Sequence, residues 1–182
     1  PKFKQIFGAV FILLIASLLM TAYQGDLPAD VVDAKYVSPA SQFLTLDDGA
    51  RIHFRDEGRR DGTPLVLIHG SMASLHTFEP WTGILGDEYR VVTLDLPAHG
   101  LTGAVPNRDY SSEAQLKVVK AVIDHLDLER VVMGGNSMGG GVSWRFALAH
   151  PNRVLGLVLL NASGPSVWYE SEGSEEPKNP SP

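Results

Sequence analysis

The chain has 182 residues with no cysteine, 44% hydrophobic residues and a formal net charge of −6. This length suits one domain with a core of ordinary size, and the hydrophobic share excludes a disordered chain. The negative charge argues against nucleic-acid binding, which needs a basic patch. The lack of cysteine excludes disulfides, a thiol nucleophile and a cysteine-based metal site.

The chain begins with a candidate membrane segment. Lys2 and Lys4 precede an uncharged run over residues 6–23, which is long enough to span a membrane and longer than a typical signal-peptide core. Small residues at a cleavage site are not evident, because cutting after Ala22 would place Met20 at position −3. We therefore expect residues 1–23 to be an uncleaved anchor with an exported domain, and a cleaved signal with a secreted domain is the alternative.

Strand and helix patterns alternate after a mixed, proline-containing stretch at 24–40, which we interpret as a tether. Residues 41–58 form two alternating runs around Asp48-Gly49 and predict a hairpin. Continuous apolar runs predict buried strands, and they cover residues 63–70, 89–97, 129–137 and 153–164.

Three helices are predicted between these strands. Residues 74–87 suggest a broken helix, 111–128 carry the best helical period, and 138–151 end at Pro151. The period of the second helix places four residues on one stripe behind a cap at Ser111 or Ser112, namely Leu116, Val119, Ile123 and Leu126. Strands joined by crossover helices indicate an α/β fold with a mostly parallel sheet over residues 41–165.

One edge of this sheet is expected to carry the functional site, because ligands bind beyond the carboxyl ends of parallel strands. His69-Gly70, Asp95 and Ser137 all lie at such ends. Gly135-Asn136-Ser137-Met138-Gly139 fits the pattern G-x-S-x-G, in which a serine occupies a tight strand-to-helix turn and glycines avoid a collision between helix and strand. The alternative is a glycine-rich helix start that binds phosphate, but the Gly-Lys-Ser/Thr ending of a Walker loop is absent.

A nucleophilic serine also needs backbone donors for a developing oxyanion. The amide of Met138 is one candidate, at a helix N-terminus. The second is expected in the loop after the earlier strand, where Ser71 is the first choice and Met72 the alternative.

Four motifs in this order resemble the α/β-hydrolase fold family, in its serine esterase and lipase branch. They read HGSMAS at 69–74, DLPAHGLTG at 95–103, GNSMGG at 135–140 and AHPNRV at 149–154. The resemblance implies a nucleophilic Ser137, oxyanion amides at Met138 and Ser71, and neither metal nor organic cofactor. It also implies structural roles for six motif residues: His69, Gly70, Asp95, His99, Gly135 and Gly139. Ala98 departs from the family, whose members usually carry glycine there.

The acid and the histidine of the family's triad follow the serine in the chain. Here the histidine after Ser137 is His150, which a helix of this length places roughly 20 Å from the serine. The carboxylates after Ser137 lie in the polar stretch 166–182, a tail or the beginning of a missing cap. We therefore expect this sequence to be the N-terminal part of a longer hydrolase, without the last strands and the cap. His76 and Met72 are further candidates for contact with substrate, as are Phe78, Trp81 and the Met138 side chain, although Phe78 and Trp81 are more often core residues.

The predicted function is hydrolysis of carboxylic esters or related small acyl compounds by a serine hydrolase tethered to a membrane. One alternative is an inactive binding or scaffold protein of the same fold. Another is a half-enzyme completed by a partner chain, or by self-association along an exposed apolar edge strand at 154–160. The fold also hosts acyltransferases, haloperoxidases and carbon–carbon hydrolases.

Overall fold

The computed structural model describes residues 2–23 and 27–164, so the predicted polar tail at 166–182 lies outside the described part. The chain divides into two compact units, residues 1–36 and residues 37–182. The first unit holds helices α1 (Lys2–Ala22) and α2 (Ala29–Tyr36).

Helix α1 is apolar over Lys4–Ala22, with a mean hydropathy of 2.2. Among the described residues it is the one helix long and apolar enough to cross a membrane. A spanning anchor and a signal sequence both have this character, so the helix agrees with either prediction.

Helix α2 lies within the stretch 24–40, which the sequence analysis interpreted as a tether. Asp30 stands in its first turn and Lys35 in its last. Both charges oppose the helix dipole and favour the helix.

The second unit is built on one six-stranded sheet in the order β1-β2-β4-β3-β5-β6. Strands β1 and β2 and strands β2 and β4 pair antiparallel, whereas β4, β3, β5 and β6 are parallel. The predicted α/β fold with a mostly parallel sheet is confirmed. The strands are β1 (Ser41–Thr45), β2 (Arg51–Gly58), β3 (Thr63–Ile68), β4 (Tyr89–Leu94), β5 (Val131–Asn136) and β6 (Val154–Leu160).

Helices cover both faces of the sheet. The predicted broken helix is a 3₁₀ turn (Leu75–Phe78) followed by α3 (Glu79–Leu85), and the other two predicted helices are α4 (Ser112–His125) and α5 (Met138–Ala149). Ser111 caps α4 through a bond from the amide of Ala114 to its hydroxyl at 3.2 Å. In the predicted stripe, Val119 and Ile123 are buried, whereas Leu116 and Leu126 pack at its margin.

The core has two parts because side chains alternate along the central strands. Val66 and Ile68 of β3 join the larger cluster under α4 and α5, while Leu65 and Leu67 join a smaller cluster with Phe78. Trp81 packs against the smaller cluster. Phe78 and Trp81 are therefore core residues.

The strand register aligns the ends of the central strands. Ile68 pairs with Leu94 on one side and with Gly135 on the other. The residues that follow, among them Asp95 and Ser137, consequently lie along one edge of the sheet, as the sequence predicted.

Candidate active site

Ser137 stands at the junction of β5 and α5 with φ 51° and ψ −115°. This backbone conformation is costly for any residue with a Cβ atom. It is the tight strand-to-helix turn predicted for the G-x-S-x-G stretch. The turn leaves the serine half-buried at the edge of the sheet.

The two glycines of the pattern permit close approach of helix and strand. A Cβ atom on Gly135 would lie 2.4 Å from the carbonyl carbon of Gly139. A Cβ atom on Gly139 would lie 2.0 Å from the carbonyl oxygen of Ile68. Since neither position has room for a methyl group, the turn requires glycine on both sides of the serine.

The end of β6 holds the backbone of Ser137 from both sides. The Ser137 amide donates to the Leu160 carbonyl at 2.9 Å, and the Ser137 carbonyl accepts from the amides of Ser163 at 2.9 Å and Gly141 at 3.0 Å. The indole Nε1 of Trp144 donates to the Ser163 carbonyl at 2.7 Å. These bonds offset the cost of the strained conformation. The sequence motifs did not identify Leu160, Ser163 or Trp144 as contacts of the serine.

The predicted oxyanion donors lie on two segments beside Ser137. Met138 is the first residue of α5, where amides have no acceptor within the helix; the first α5 amide bonded to a carbonyl four residues earlier is that of Gly141. Ser71 follows Gly70, where a Cβ atom would lie 3.4 Å from the Ser137 Cβ. The loop after β3 therefore passes next to the serine.

The two methionines suggested for contact with substrate take different positions. The side chain of Met138 packs against the larger core cluster, and its sulfur accepts from Gln115 Nε2 at 3.7 Å. Met72 is 97% exposed with φ 57°. Met72 is thus the apolar side chain of this loop that faces solvent.

His69 orients the loop that carries Ser71. Its Nε2 accepts from the Leu96 amide at 3.1 Å, so Nδ1 bears the proton and donates to the Gly70 carbonyl at 2.7 Å. Burial lowers the pKa of this imidazole, against a raising effect of the Gly70 bond and the charge of Asp95. A neutral His69 therefore sets the plane of the peptide between Gly70 and Ser71, and with it the direction of the Ser71 amide.

Asp95 joins three segments at the edge of the sheet. Its carboxylate accepts from the Leu75 amide at 2.8 Å, the Leu101 amide at 2.9 Å and His53 Nδ1 at 2.7 Å. Burial raises the pKa of this carboxyl, but these hydrogen bonds outweigh burial and bring the pKa below its usual value. Asp95 is thus an ionised anchor for the loops around Ser137.

The backbone conformation at Ala98 is one that glycine adopts more easily, which gives a physical reason for the glycine usual in the family. Ala98 has φ 67°, a left-handed conformation that costs an alanine about 1 kcal/mol or more relative to glycine. The ring of His99 lies 5.0 Å from that of His69, and its Nδ1 lies 2.9 Å from the Pro97 carbonyl.

Within the described residues, no histidine forms a hydrogen bond with Ser137. His150 follows the far end of α5 and packs on Phe146 with ring centroids 4.8 Å apart. His76 bonds through Nδ1 to Glu79 at 2.7 Å, and Glu79 also accepts from Arg55 at 2.6 Å.

One cavity in the described part of the chain lies away from the serine. A cavity of about 170 Å³ lies between the β1–β2 turn and α4 and is not lined by Ser137. Over the part of the chain that the structure describes, no group of three metal-ligating side chains comes together.

One cluster at the edge was not predicted from the sequence. His53 bridges Asp95 and Ser41, whose Oγ lies 2.8 Å from His53 Nε2. The hairpin prediction covers the pairing of β1 with β2, but the contact with Asp95 depends on the pairing of β2 with β4, which no local pattern in the sequence specifies.

Comparison with known proteins identifies the family. The alpha/beta hydrolase fold family matches residues 63–176. A 2-hydroxy-6-oxononadienedioate/2-hydroxy-6-oxononatrienedioate hydrolase from Cupriavidus pinatubonensis is 39% identical over 140 residues, which cover 70% of this chain and 47% of the relative.

Solved structures agree with this assignment. Cfl2 from Burkholderia cenocepacia superposes with a TM-score of 0.65 at 30% identity, over 76% of this chain and 47% of that protein. A membrane phospholipase A described as a bacterial virulence factor has a TM-score of 0.65 at 26% identity, over 88% of this chain and 52% of its own. The chain spans about half the length of the curated relatives it matches. With its family match and its mostly parallel sheet, the chain belongs to the alpha/beta hydrolase fold family.

Proposed function

We propose that this protein is a serine hydrolase in which Ser137 attacks the carbonyl carbon of a carboxylic ester or a related acyl compound. The observation that carries the proposal is the strained backbone of Ser137, with φ 51° and ψ −115° at a strand-to-helix turn. Such strain persists only where surrounding contacts maintain it, and it clusters at functional sites. Here the bonds to Leu160 and Ser163 maintain it.

The surroundings of Ser137 suit the charge that develops during acyl transfer. The Met138 amide lies at the N-terminus of α5, where the helix dipole favours a negative charge. The Ser71 amide, oriented through His69 and Gly70, would be the second donor. Two such donors can contribute several kcal/mol of transition-state stabilisation.

The general base is not among the described residues that contact Ser137. We propose that a histidine outside residues 2–164 takes the serine proton, held by a carboxylate that also lies outside this range. His150 does not serve, because the 12 residues of α5 put it about 18 Å away along the helix axis.

The sequence relatives favour a second candidate reaction, the hydrolysis of a carboxylated oxo-dienoate in place of an ester. The Cupriavidus relative is a hydrolase of an oxo-dienedioate, at 39% identity. Such a substrate carries carboxylates, whereas a simple ester carries no charge. Parallel assays with a 4-nitrophenyl ester series and with a 2-hydroxy-6-oxo-dienoate would separate the two candidates.

We further propose that α1 tethers the protein to a membrane with the hydrolase unit outside the cytoplasm. The apolar length of Lys4–Ala22 supports this, as does the likeness to a membrane phospholipase A. A cleaved signal is the alternative. Mass spectrometry of the N-terminal peptide from membrane and soluble fractions would distinguish them.

Association along β6 is also a proposal. Among the described strands β6 is an edge strand, and Leu155, Leu157 and Leu159 are 42–46% exposed on one side. An edge of this kind accepts a further strand or a second chain. Light scattering of the protein and of a Leu157→Lys variant would detect association between copies.

Covalent labelling tests the proposed nucleophile. A fluorophosphonate should modify the peptide that spans residues 131–145, and Ser137→Ala should abolish that modification. Ser143, which is buried and donates to the Gly139 carbonyl at 2.8 Å, provides a matched control as Ser143→Ala. Labelling of Ser137 would contradict the inactive-scaffold alternative. A folded protein that includes the histidine and carboxylate proposed above, and still carries no label at Ser137, would contradict the hydrolase proposal.

A further inference from the structure

A second serine stands at the start of a hydrogen-bonded chain of nucleophile, imidazole and carboxylate. The Ser41 hydroxyl lies 2.8 Å from His53 Nε2, and His53 Nδ1 lies 2.7 Å from Asp95 Oδ2. Ser41 is half-buried at the first position of β1, while His53 and Asp95 are 0% and 1% exposed.

The strand pairing creates this chain. Ser41 pairs with Arg55 and Phe43 with His53, so Ser41 and His53 are diagonal neighbours on one face of the β1–β2 ladder. Asp95 follows β4, and its amide donates to the His53 carbonyl at 2.9 Å. The three side chains thus come from three adjacent strands or their ends.

The hydrogen bonds assign the protons. Asp95 is an ionised acceptor, so Nδ1 of His53 donates to it. With a proton on Nδ1, the neutral tautomer of the ring has its lone pair on Nε2, the nitrogen that faces Ser41. The Ser38 amide donates to Ser41 Oγ at 3.1 Å. The Ser41 hydroxyl still has its proton to donate, and His53 Nε2 at 2.8 Å is a nearer acceptor than the Ser38 hydroxyl at 3.4 Å.

This order of groups is the one that activates a serine: a hydroxyl donates to an imidazole, and a carboxylate orients the imidazole. The shielded ring and carboxylate make the base effective, since water does not compete for Nε2. Ser137 has no such side-chain partner within residues 2–23 and 27–164.

We propose that Ser41 is a second activated serine of this protein, which accepts an acyl or phosphonyl group from a small electrophile. With a fluorophosphonate, Ser41 Oγ forms the bond to phosphorus, the hydroxyl proton moves to His53 Nε2, and fluoride leaves as the phosphorus–fluorine bond breaks. The inference concerns one covalent transfer and does not rest on the function proposed for Ser137.

The test uses the full chain with Ser137→Ala and diisopropyl fluorophosphate as the probe. Lys35 and Arg51 flank a tryptic peptide of residues 36–51 that contains Ser38 and Ser41, and fragmentation distinguishes the two. We expect the phosphoryl mass on Ser41, and its loss when the protein is unfolded in guanidinium before labelling. A folded protein with no mass on Ser41 would overturn the proposal.

The base is tested by His53→Asn in the same background. The asparagine amide nitrogen can replace Nδ1 as donor to Asp95, but nothing replaces Nε2, so we expect labelling of Ser41 to slow about 100-fold or more. His53→Gln serves as a second variant without the base if His53→Asn lowers the unfolding temperature. Ser38→Ala is the matched control, because it removes a hydroxyl 3.4 Å from Ser41 Oγ but keeps the hydrogen bond from the backbone amide of residue 38 to Ser41 Oγ. Ser41 should be labelled at the parent rate in this variant.

Labelling of Ser41 at the parent rate in both folded His53 variants would overturn the assignment of the base. Modification at Ser137 appears on a different peptide, residues 131–145, in the wild-type protein. The failure of either proposal is therefore visible independently of the other.

Discussion

Replacing Gly139 by alanine has two effects of opposite sign on the stability of the protein. Gly139 lies in the first turn of α5, and alanine favours a helix over glycine by about 1 kcal/mol. The new Cβ, however, would lie 2.0 Å from the Ile68 carbonyl oxygen and 2.5 Å from that of His69, whereas real Cβ contacts essentially never fall below 3.0 Å. Helix α5 would have to move about 1 Å from β3, in a region packed like a crystal.

Overpacking against the backbone should outweigh the gain in helix propensity. We expect Gly139→Ala to lower the free energy of unfolding by about 3 kcal/mol, which corresponds to a drop in Tm of roughly 6–12 °C for a domain of this size. Thermal and guanidinium unfolding followed by circular dichroism would measure both. Gly83→Ala in α3 is the matched control, because no atom lies within 4 Å of its added Cβ, and it should gain up to about 1 kcal/mol. A Gly139→Ala protein as stable as the wild type would refute the steric explanation of the motif.

Three further predictions concern the contacts around Ser137. Since the pKa of His69 is lowered in the folded protein, the unfolded state binds its proton more tightly, and stability should fall as pH drops below about 6.5. Guanidinium midpoints between pH 8 and 5 would measure this, and a flat profile would contradict it. Asp95→Asn replaces the carboxylate oxygen that accepts from Leu101 and His53 by an NH2 group, which cannot accept from them. We expect the free energy of unfolding to fall by about 3 kcal/mol. Guanidinium unfolding at pH 7 would measure this, and a loss under about 1 kcal/mol would argue against the anchor role. Trp144→Phe removes the bond to the Ser163 carbonyl at a cost of about 1 kcal/mol. Hydrogen exchange should then be faster at the Ser163 amide, and an unchanged rate there would show that the indole does not hold this segment.

The elements and the edge of the sheet that carries the site follow from local sequence patterns. Continuous apolar runs predicted the four parallel strands, because a strand covered on both faces needs no polar side. Spacing predicted the turn at Ser137, since a strand that enters a helix this closely requires glycine at Gly135 and Gly139. Helix α2 was missed, because eight residues with little apolar periodicity resemble a linker.

Contacts between distant segments were decided by the tertiary structure alone. Ser41, His53 and Asp95 have ordinary neighbours in the chain, and their chain of bonds exists because β1, β2 and β4 pair in one register. The bonds of Leu160 and Ser163 to Ser137 depend likewise on β6 lying beside β5. Periodicity and turn chemistry act within a few residues, so the sequence by itself determined the elements and the serine turn. The partners of each polar group were decided by the pairing of the strands, because a hydrogen bond depends on distances in space that local patterns do not encode.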